Sequence, residues 1–307
     1  MNRILFCVLV LTSSALAGKY AAEFLSVGAG GRALGMGGAF VAVADDASAA
    51  YWNPAGLVSL EHRELHVMHA ARFSGMVQSD VAQLVLPSQT YALAASYIRM
   101  GIDDIPYTSK LDPNGRPVID RYVSDTEQAA MLSFASRRGN LAWGATLKGI
   151  RQSVGDNTSL GFGVDLGLLY RPNSQWSLGA SVQDISGTYI YWDTGHRDVK
   201  APNLLWGAAY QKSFLFLRSS ILLSVQHNIR FEGNSEYSSF NIGTFGNSDV
   251  HAGAEYTIFD SVAFRVGWYG SDLTAGAGLS FKMLRLDYAF MTYDLGNAHR
   301  ISLSVEF

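Results

Sequence analysis

The stretch SVGAGGRALGMGG, residues 26–38, holds a G-x-G-x-x-A run at Gly28, Gly30 and Ala33. Such a turn brings backbone N–H groups close to a pyrophosphate. Asp45 and Asp46 follow at roughly the separation where dinucleotide-binding folds set a ribose-binding acid. A second cluster, HRELHVMH, supplies His62, His66 and His69, side chains that ligate metals. A third set is ionic. Lys148, Asp165, Glu255, Arg265, Lys282 and Asp287, with Arg285 and Glu306, scatter charge of both signs through otherwise apolar sequence. No G-x-S-x-G elbow is present and no serine is matched by motif to a histidine base, so no catalytic residue and no enzyme activity are expected.

The elements that must position these residues decide between the readings. A nucleotide cradle needs a βαβ unit and a parallel sheet, and neither follows the glycine run. The histidines fall on a strand pattern. There His62 and His66 share one face and His69 takes the other, so three ligands do not converge, and no metal or other cofactor is expected.

From about residue 61 the chain alternates with a period of two, the mark of strands with unlike faces. In SLGFGVDLGLLYRP, Leu160, Phe162, Val164, Leu166, Leu168 and Tyr170 share a face opposite Gly161, Gly163, Asp165 and Gly167. A soluble sandwich would carry many charges on its polar face. Here that face is mostly glycine, alanine and serine, and the scattered charges share its parity. A bilayer selects this segregation, since Arg or Lys on the lipid face near the midplane costs about 2–4 kcal/mol. Aromatics near strand ends (Trp143, Tyr170, Trp176, Tyr210, Trp268) fit an interfacial girdle.

Strands are expected over 63–72, 78–87, 89–100, 126–137, 140–153, 159–171, 175–186, 201–212, 216–230, 249–259, 261–271, 272–281, 284–294 and 297–307. Each is about long enough to cross a membrane at a tilt. Short turns alternate with longer loops at 101–125, 187–200 and 231–248. The loop DDIPYTSKLDPNGRPVID is too polar and too punctuated by proline and glycine to be expected as a strand pair. The fold class is therefore all-β: a transmembrane antiparallel barrel of about fourteen strands over 61–307. Its last strand, RISLSVEF, ends on Phe307, a terminal aromatic of the kind read by barrel-assembly machinery, and must pair with the first to close both edges.

Residues 1–17 read as a signal peptide. Arg3 precedes an apolar run from Ile4 to Leu11, and Ala15-Leu16-Ala17 offers a cleavage site. Cys7, the one cysteine of the chain, lies in it. An exported chain has no nucleotide supply, and a net charge of −3 gives no sign of nucleic-acid binding. Residues 18–60 do not alternate. Phe40–Val43 is strand-like, Asp45, Asp46 or Ser48 caps a short helical turn, and Asn53-Pro54 starts another, with proline in its first position.

The segment GGRALGMGGAFVAVADDASAAYWNPAGL resembles the N-terminal segment of the FadL/TodX-like outer-membrane superfamily, and within it the PorV/PorQ group. The likeness runs through Arg32–Phe40, Ala44–Asp46 and Trp52–Leu57. It implies a barrel of the outer membrane of a Gram-negative-type bacterium, with residues 18–60 folded inside as a hatch. The corner and gate residues would be Gly35, Gly37, Gly38, Phe40, Asp45, Asp46, Asn53, Pro54 and Gly56. Two functions follow. A PorV-like chain would serve type IX-like secretion and engage cargo proteins at the cell surface. A FadL-like chain would carry fatty acids or other hydrophobic compounds. A purely structural barrel is the third reading. The lumenal charges either line a pore or pair with each other and the hatch, and pairing is favoured because a hatch must be held.

Overall fold

The computed structural model describes residues 21–231, 240–241, 246–293 and 296–307. The expected signal peptide and most of loop 231–248 lie outside these. Among the described residues, seventeen strands form one antiparallel sheet that closes on itself. In chain order they are β1 (Glu64–Arg72), β2 (Val77–Pro87), β3 (Tyr91–Leu111), β4 (Pro117–Arg138), β5 (Leu141–Val154) and β6 (Asn157–Tyr170). Then come β7 (Trp176–Gln183), β8 (Thr188–Trp192), β9 (Arg197–Lys200), β10 (Asn203–Phe214), β11 (Ser219–Arg230) and β12 (Phe240–Asn241). The series ends with β13 (Asn247–Ile258), β14 (Val262–Tyr269), β15 (Asp272–Phe281), β16 (Leu284–Met291) and β17 (Ala298–Glu306).

β8, β9 and β12 are short pieces within connections, so fourteen strands make the wall. β1 pairs with both β2 and β17, Glu64 opposite Glu306 and Arg72 opposite Ala298, which removes both free edges. No helix among the described residues is long and apolar enough to cross a membrane. A closed barrel needs none, because every wall strand finds its backbone partners in its neighbours.

The alternation sorts side chains as expected. On β6, Leu160, Phe162, Leu166, Leu168 and Tyr170 are exposed outward, Phe162 by 67%, while Asp165 is buried inward. At the end with the short turns, outward aromatics cluster: Trp176 with Tyr210 at 4.9 Å between ring centroids, and Phe134 with Trp143 at 5.5 Å. This is the belt a barrel sets at a membrane–water interface.

Four expectations are corrected. Loop 101–125 is largely strand, since β3 runs on to Leu111 and β4 starts at Pro117. The two pair with each other beyond the barrel, Ile105 opposite Val123, with register shifts between Ile102 and Ile105 and around Thr108. β2 has ended by then, at Gln78 opposite Gly101, so the outer edge of β3 is open. An open edge needs no N–H from Pro106, and a ribbon wet on both faces has no apolar alternation to betray it. Loop 187–200 likewise contains the hairpin β8–β9, with β8 paired to β6.

The third correction is β7, which stops at Gln183 rather than at residue 186. Asp184 has φ 55° and Gly187 φ 75°, and the chain bulges before β8. Inward parity therefore switches from Ser181 to Asp184, Thr188 and Ile190, all buried. The fourth is Phe40–Val43, which forms turns instead of a strand, with Val43 N and Ala44 N both donating to Phe40 O. A closed wall offers no free edge to extend.

Candidate functional site

The lumen divides into two halves. At the short-turn end it is filled by residues 21–60, a string of short turns and helices whose side chains are nearly all buried. They include a helix over Gly31–Gly35, another over Ala49–Trp52 and a 3-10 turn over Pro54–Ser59.

Such a chain has many backbone groups without regular partners, and the inner wall supplies them. Gln226 Oε1 accepts from Phe40 N at 3.0 Å and Val41 N at 2.7 Å. Ser177 Oγ donates to Ala42 O at 2.6 Å, Thr274 Oγ1 to Gly35 O at 3.1 Å, and Arg171 to Val43 O at 3.2 Å. His251 Nδ1 lies 2.8 Å from Gly37 O, and Gly31 N donates to Ser302 Oγ at 3.1 Å.

Wall glycines let the segment ride directly on the strands. A methyl on Gly144 would stand 2.5 Å from the Pro54 carbonyl carbon, and one on Gly276 would stand 3.1 Å from Gly35 Cα. Methyls on Gly167, Gly253 and Gly267 would overlap Asn53 Oδ1, Met36 O and Gly37 N respectively.

The corner residues are now placed. Asn53 is fully buried, and its Nδ2 donates to Val41 O at 2.8 Å and to Leu168 O at 3.0 Å, while its Oδ1 accepts from Ala55 N. Pro54 opens the following turn as expected. Gly56 abuts Ala44 O, where any side chain would collide. Gly37 and Gly38 adopt φ of 65° and 68°, which glycine takes without strain. Phe40 is buried, with the Arg32 guanidinium 5.5 Å from its ring centre. Ser48 stands at the cap position before Ala49 without a side-chain capping bond; the Asp46 carboxylate instead accepts from Ser48 N at 2.9 Å.

The charges form two clusters. In the first, Arg32 is bidentate on Glu255 at 2.9 Å and reaches Asp45 at 2.6 Å and Asp46 at 3.4 Å. Arg285 bridges Asp46 at 3.4 Å, Glu64 at 3.1 Å and Asp287 at 3.2 Å, and Arg265 pairs with Glu255 and Asp287. Burial alone would raise the Asp46 carboxyl, but the Arg285 and Arg32 guanidiniums outweigh it and hold the group below the usual carboxylate range. In the second cluster Lys148 meets Asp165 at 2.7 Å and also Asp184, whose backbone N–H donates to Asp165 at 2.8 Å. This cluster pins the β7 bulge.

Of the expected lumenal charges, Lys148, Asp165, Glu255, Arg265 and Asp287 face inward and are buried. Lys282 does not. It sits exposed in the β15–β16 turn at φ 54°, its ammonium 5.4 Å from the Phe281 ring, because β15 ends one residue earlier. His66 faces inward, 2.9 Å from Ser304 Oγ, and His69 outward, 2.8 Å from Asp80, while His62 precedes the strand. Phe307 lies just past β17, its N–H donating to Arg63 O at 2.9 Å and its ring exposed.

At the loop end the inward face changes character. Met68, Val81, Ile98, Met131, Ile150, Ile190, Leu205 and Met291 replace the small residues and pack with Phe24, Leu34 and Trp52 of the segment. A cavity of about 50 Å³ between Leu25, Tyr51, Trp52, Met131 and Leu205 meets the Lys148 cluster on one side. The sequence carried this signal at Ile150, which shares parity with Lys148. Gln226 and His251 carry no such signal, since a polar side chain bonding a distant backbone has no local pattern, and neither does the pairing of Arg32 with the distant Glu255. On the outer wall, an apolar groove of about 760 Å³ runs between Trp176, Tyr210, Trp268 and Leu273, and Gly253 and Gly267 lie in its floor. Those glycines touch Met36 and Gly37 from the other side.

The profile of a family of unknown function, DUF5723, matches residues 116–306. The chain belongs to the DUF5723 family. A second profile, the uncharacterised family UPF0164, matches residues 11–109. A UPF0164 protein of Treponema pallidum is 30% identical over 185 residues, covering 55% of this chain and 46% of that protein. The chain thus spans less than half the length of that curated relative. In fold it is similar to the toluene transporter TbuX of Ralstonia pickettii, with a TM-score of 0.62 at 16% identity over 91% of this chain and 98% of TbuX. It is also similar to the monoaromatic hydrocarbon channel CymD, at TM-score 0.61 and 14% identity over 92% and 98% of the chains. The DUF5723 barrel therefore has the fold of FadL/TodX-type outer-membrane proteins. Neither matching profile is PorV or PorQ.

Proposed function

We propose that this DUF5723 barrel sits in an outer membrane and passes hydrophobic small molecules, with residues 21–60 as the hatch that closes its inner end. The observation that carries this reading is the division of the lumen. A water-filled porin would be polar throughout. Here the half toward the long loops carries an apolar layer, Met68, Val81, Ile98, Met131, Ile150 and Met291, packed on Phe24, Leu34 and Trp52 of the segment, while toward the short turns the segment is held by ion pairs. Apolar solutes entering from the loop side meet apolar walls and stop at the hatch. Where Gly253 and Gly267 touch Met36 and Gly37, one layer of backbone separates the hatch from the apolar groove outside, which favours sideways release when the hatch shifts.

The secretion reading rests on the likeness of residues 32–57 alone, and the hydrophobic-transport reading takes its place. Both are tested in a host carrying the gene. Deletion is expected to lower uptake of apolar aromatic compounds and to leave surface-exported proteins unchanged. Loss of exported proteins with unchanged uptake would reverse the assignment.

A further inference from the structure

Two arginines at the loop end of the lumen have no carboxylate among the described residues. Arg300 on β17 has a relative exposure of 0% and leads the largest fully buried side chains. Arg72 on β1 is half-buried. Ala70 stands opposite Arg300 and Ala298 opposite Arg72, so the two arginines are diagonal neighbours on the inward face, roughly 7–8 Å apart at the backbone.

Their hydrogen bonds are poor for buried cations. Arg300 donates to Tyr293 Oη at 3.0 Å and leaves Nε and Nη1 without a partner. Arg72 reaches the Met100 sulfur at 3.1 Å, a weak acceptor, and Ser79 at 3.5 Å, and its Nε is unpartnered. Every other inward cation described above has an acid or a backbone carbonyl. Two adjacent guanidiniums repel, and a buried charge without a counter-ion is costly, so this pair is built for an anion brought from outside. A guanidinium fork fits a carboxylate in particular.

The surroundings select the body of that anion. Met68 and Met291 belong to the apolar cluster, and Met100, Tyr269 and Tyr293 pack against it. Thioethers and tyrosine rings make favourable contacts with aromatic rings. The Arg300 guanidinium lies 6.0 Å from the Tyr293 ring centre, so ring and charge already share one space.

We propose that Arg72 and Arg300 receive the carboxylate of a small aromatic acid whose ring lies among Met68, Met100, Met291 and Tyr293. The inference rests on the hydrophobic-transport reading and narrows its substrate: the passenger carries one negative charge, unlike a neutral hydrocarbon.

The test is calorimetric titration of the detergent-purified full-length protein with benzoate, benzyl alcohol, octanoate and inorganic phosphate. Benzoate is expected to bind about tenfold to a hundredfold more tightly than benzyl alcohol, the worth of charge-assisted hydrogen bonds. Arg300→Gln and Arg72→Gln should erase that preference. Arg99→Gln, which removes an outward arginine near Asp80, should keep it. The wild-type comparison stands even where a variant fails to fold. Equal binding of benzoate and benzyl alcohol overturns the inference and leaves hydrophobic transport intact. Octanoate or phosphate binding as tightly as benzoate overturns the aromatic-acid assignment. Binding of none of the organic ligands removes the transport reading itself.

Discussion

The two halves of one lumen are built on opposite principles. At the short-turn end the wall is glycine, serine and charge, and its work is to hold a piece of the chain's own backbone. At the loop end the wall is methionine and isoleucine around Arg72 and Arg300, which meet no carboxylate among the described residues. The first half satisfies its charges among its own residues, while the second leaves guanidinium nitrogens of Arg72 and Arg300 without a partner among the described residues. A barrel that only stiffened a membrane would have no use for this asymmetry.

The largest expected effect comes from pushing residues 21–60 off the wall. Gly267→Leu or Gly167→Leu drives a side chain into Gly37 or Asn53. Single-channel conductance should rise severalfold while heat-modifiable migration shows an intact barrel. Gly149→Leu, at a position with nothing within 4 Å, should leave conductance unchanged. Equal behaviour of the three variants would contradict the seating of residues 21–60 on the inward wall glycines.

Next is Arg32→Met, which takes the guanidinium from Asp45 and leaves Glu255 to Arg265 and Asp46 to Arg285. Removing one partner of a buried ion pair costs about 3–5 kcal/mol, so residues 21–60 should become sensitive to protease from the short-turn side. Asn53→Ala, with Pro54→Ala alongside, is smaller. It loses two donated bonds worth about 1–3 kcal/mol in all and should raise conductance only in brief openings.

The smallest effect is a pH dependence. The Asp46 carboxyl is held below its unfolded value by Arg285 and Arg32. Its contribution to seating is therefore fully present above about pH 4 and lost as pH falls through the lower folded value. Conductance should climb below about pH 4 in the wild type, and Asp46→Asn should flatten that climb.

The contrast between the lumenal segment and the wall also explains what was legible in the residues. A strand in a bilayer repeats every two residues, so Leu160–Tyr170 displayed its two faces and the fourteen wall strands could be placed to within a few residues. The ribbon beyond Gly101 could not, because water on both faces erases the alternation while cross-strand pairing persists. β7 broke where Asp184 turns inward, a bulge fixed by Lys148 and Asp165 from other strands. The lumenal segment was legible only as a sequence without a period. Its Asn53-Pro54 corner followed from local capping chemistry. Its anchors Gln226 and His251 lie on the wall, far along the chain, and bind backbone rather than matching side chains. Lys282 shows the limit of parity, since one residue of strand length separates a lumenal charge from a turn.

The central claim is that hydrophobic compounds pass through the loop-side lumen and are stopped by the hatch. Its most direct measurement is uptake of a labelled small aromatic compound by cells producing wild-type protein, Gly267→Leu protein, or none. Uptake should depend on the wild-type barrel, and the variant should in addition admit small polar solutes that the wild type excludes. Aromatic uptake equal to that of cells without the protein would contradict the account.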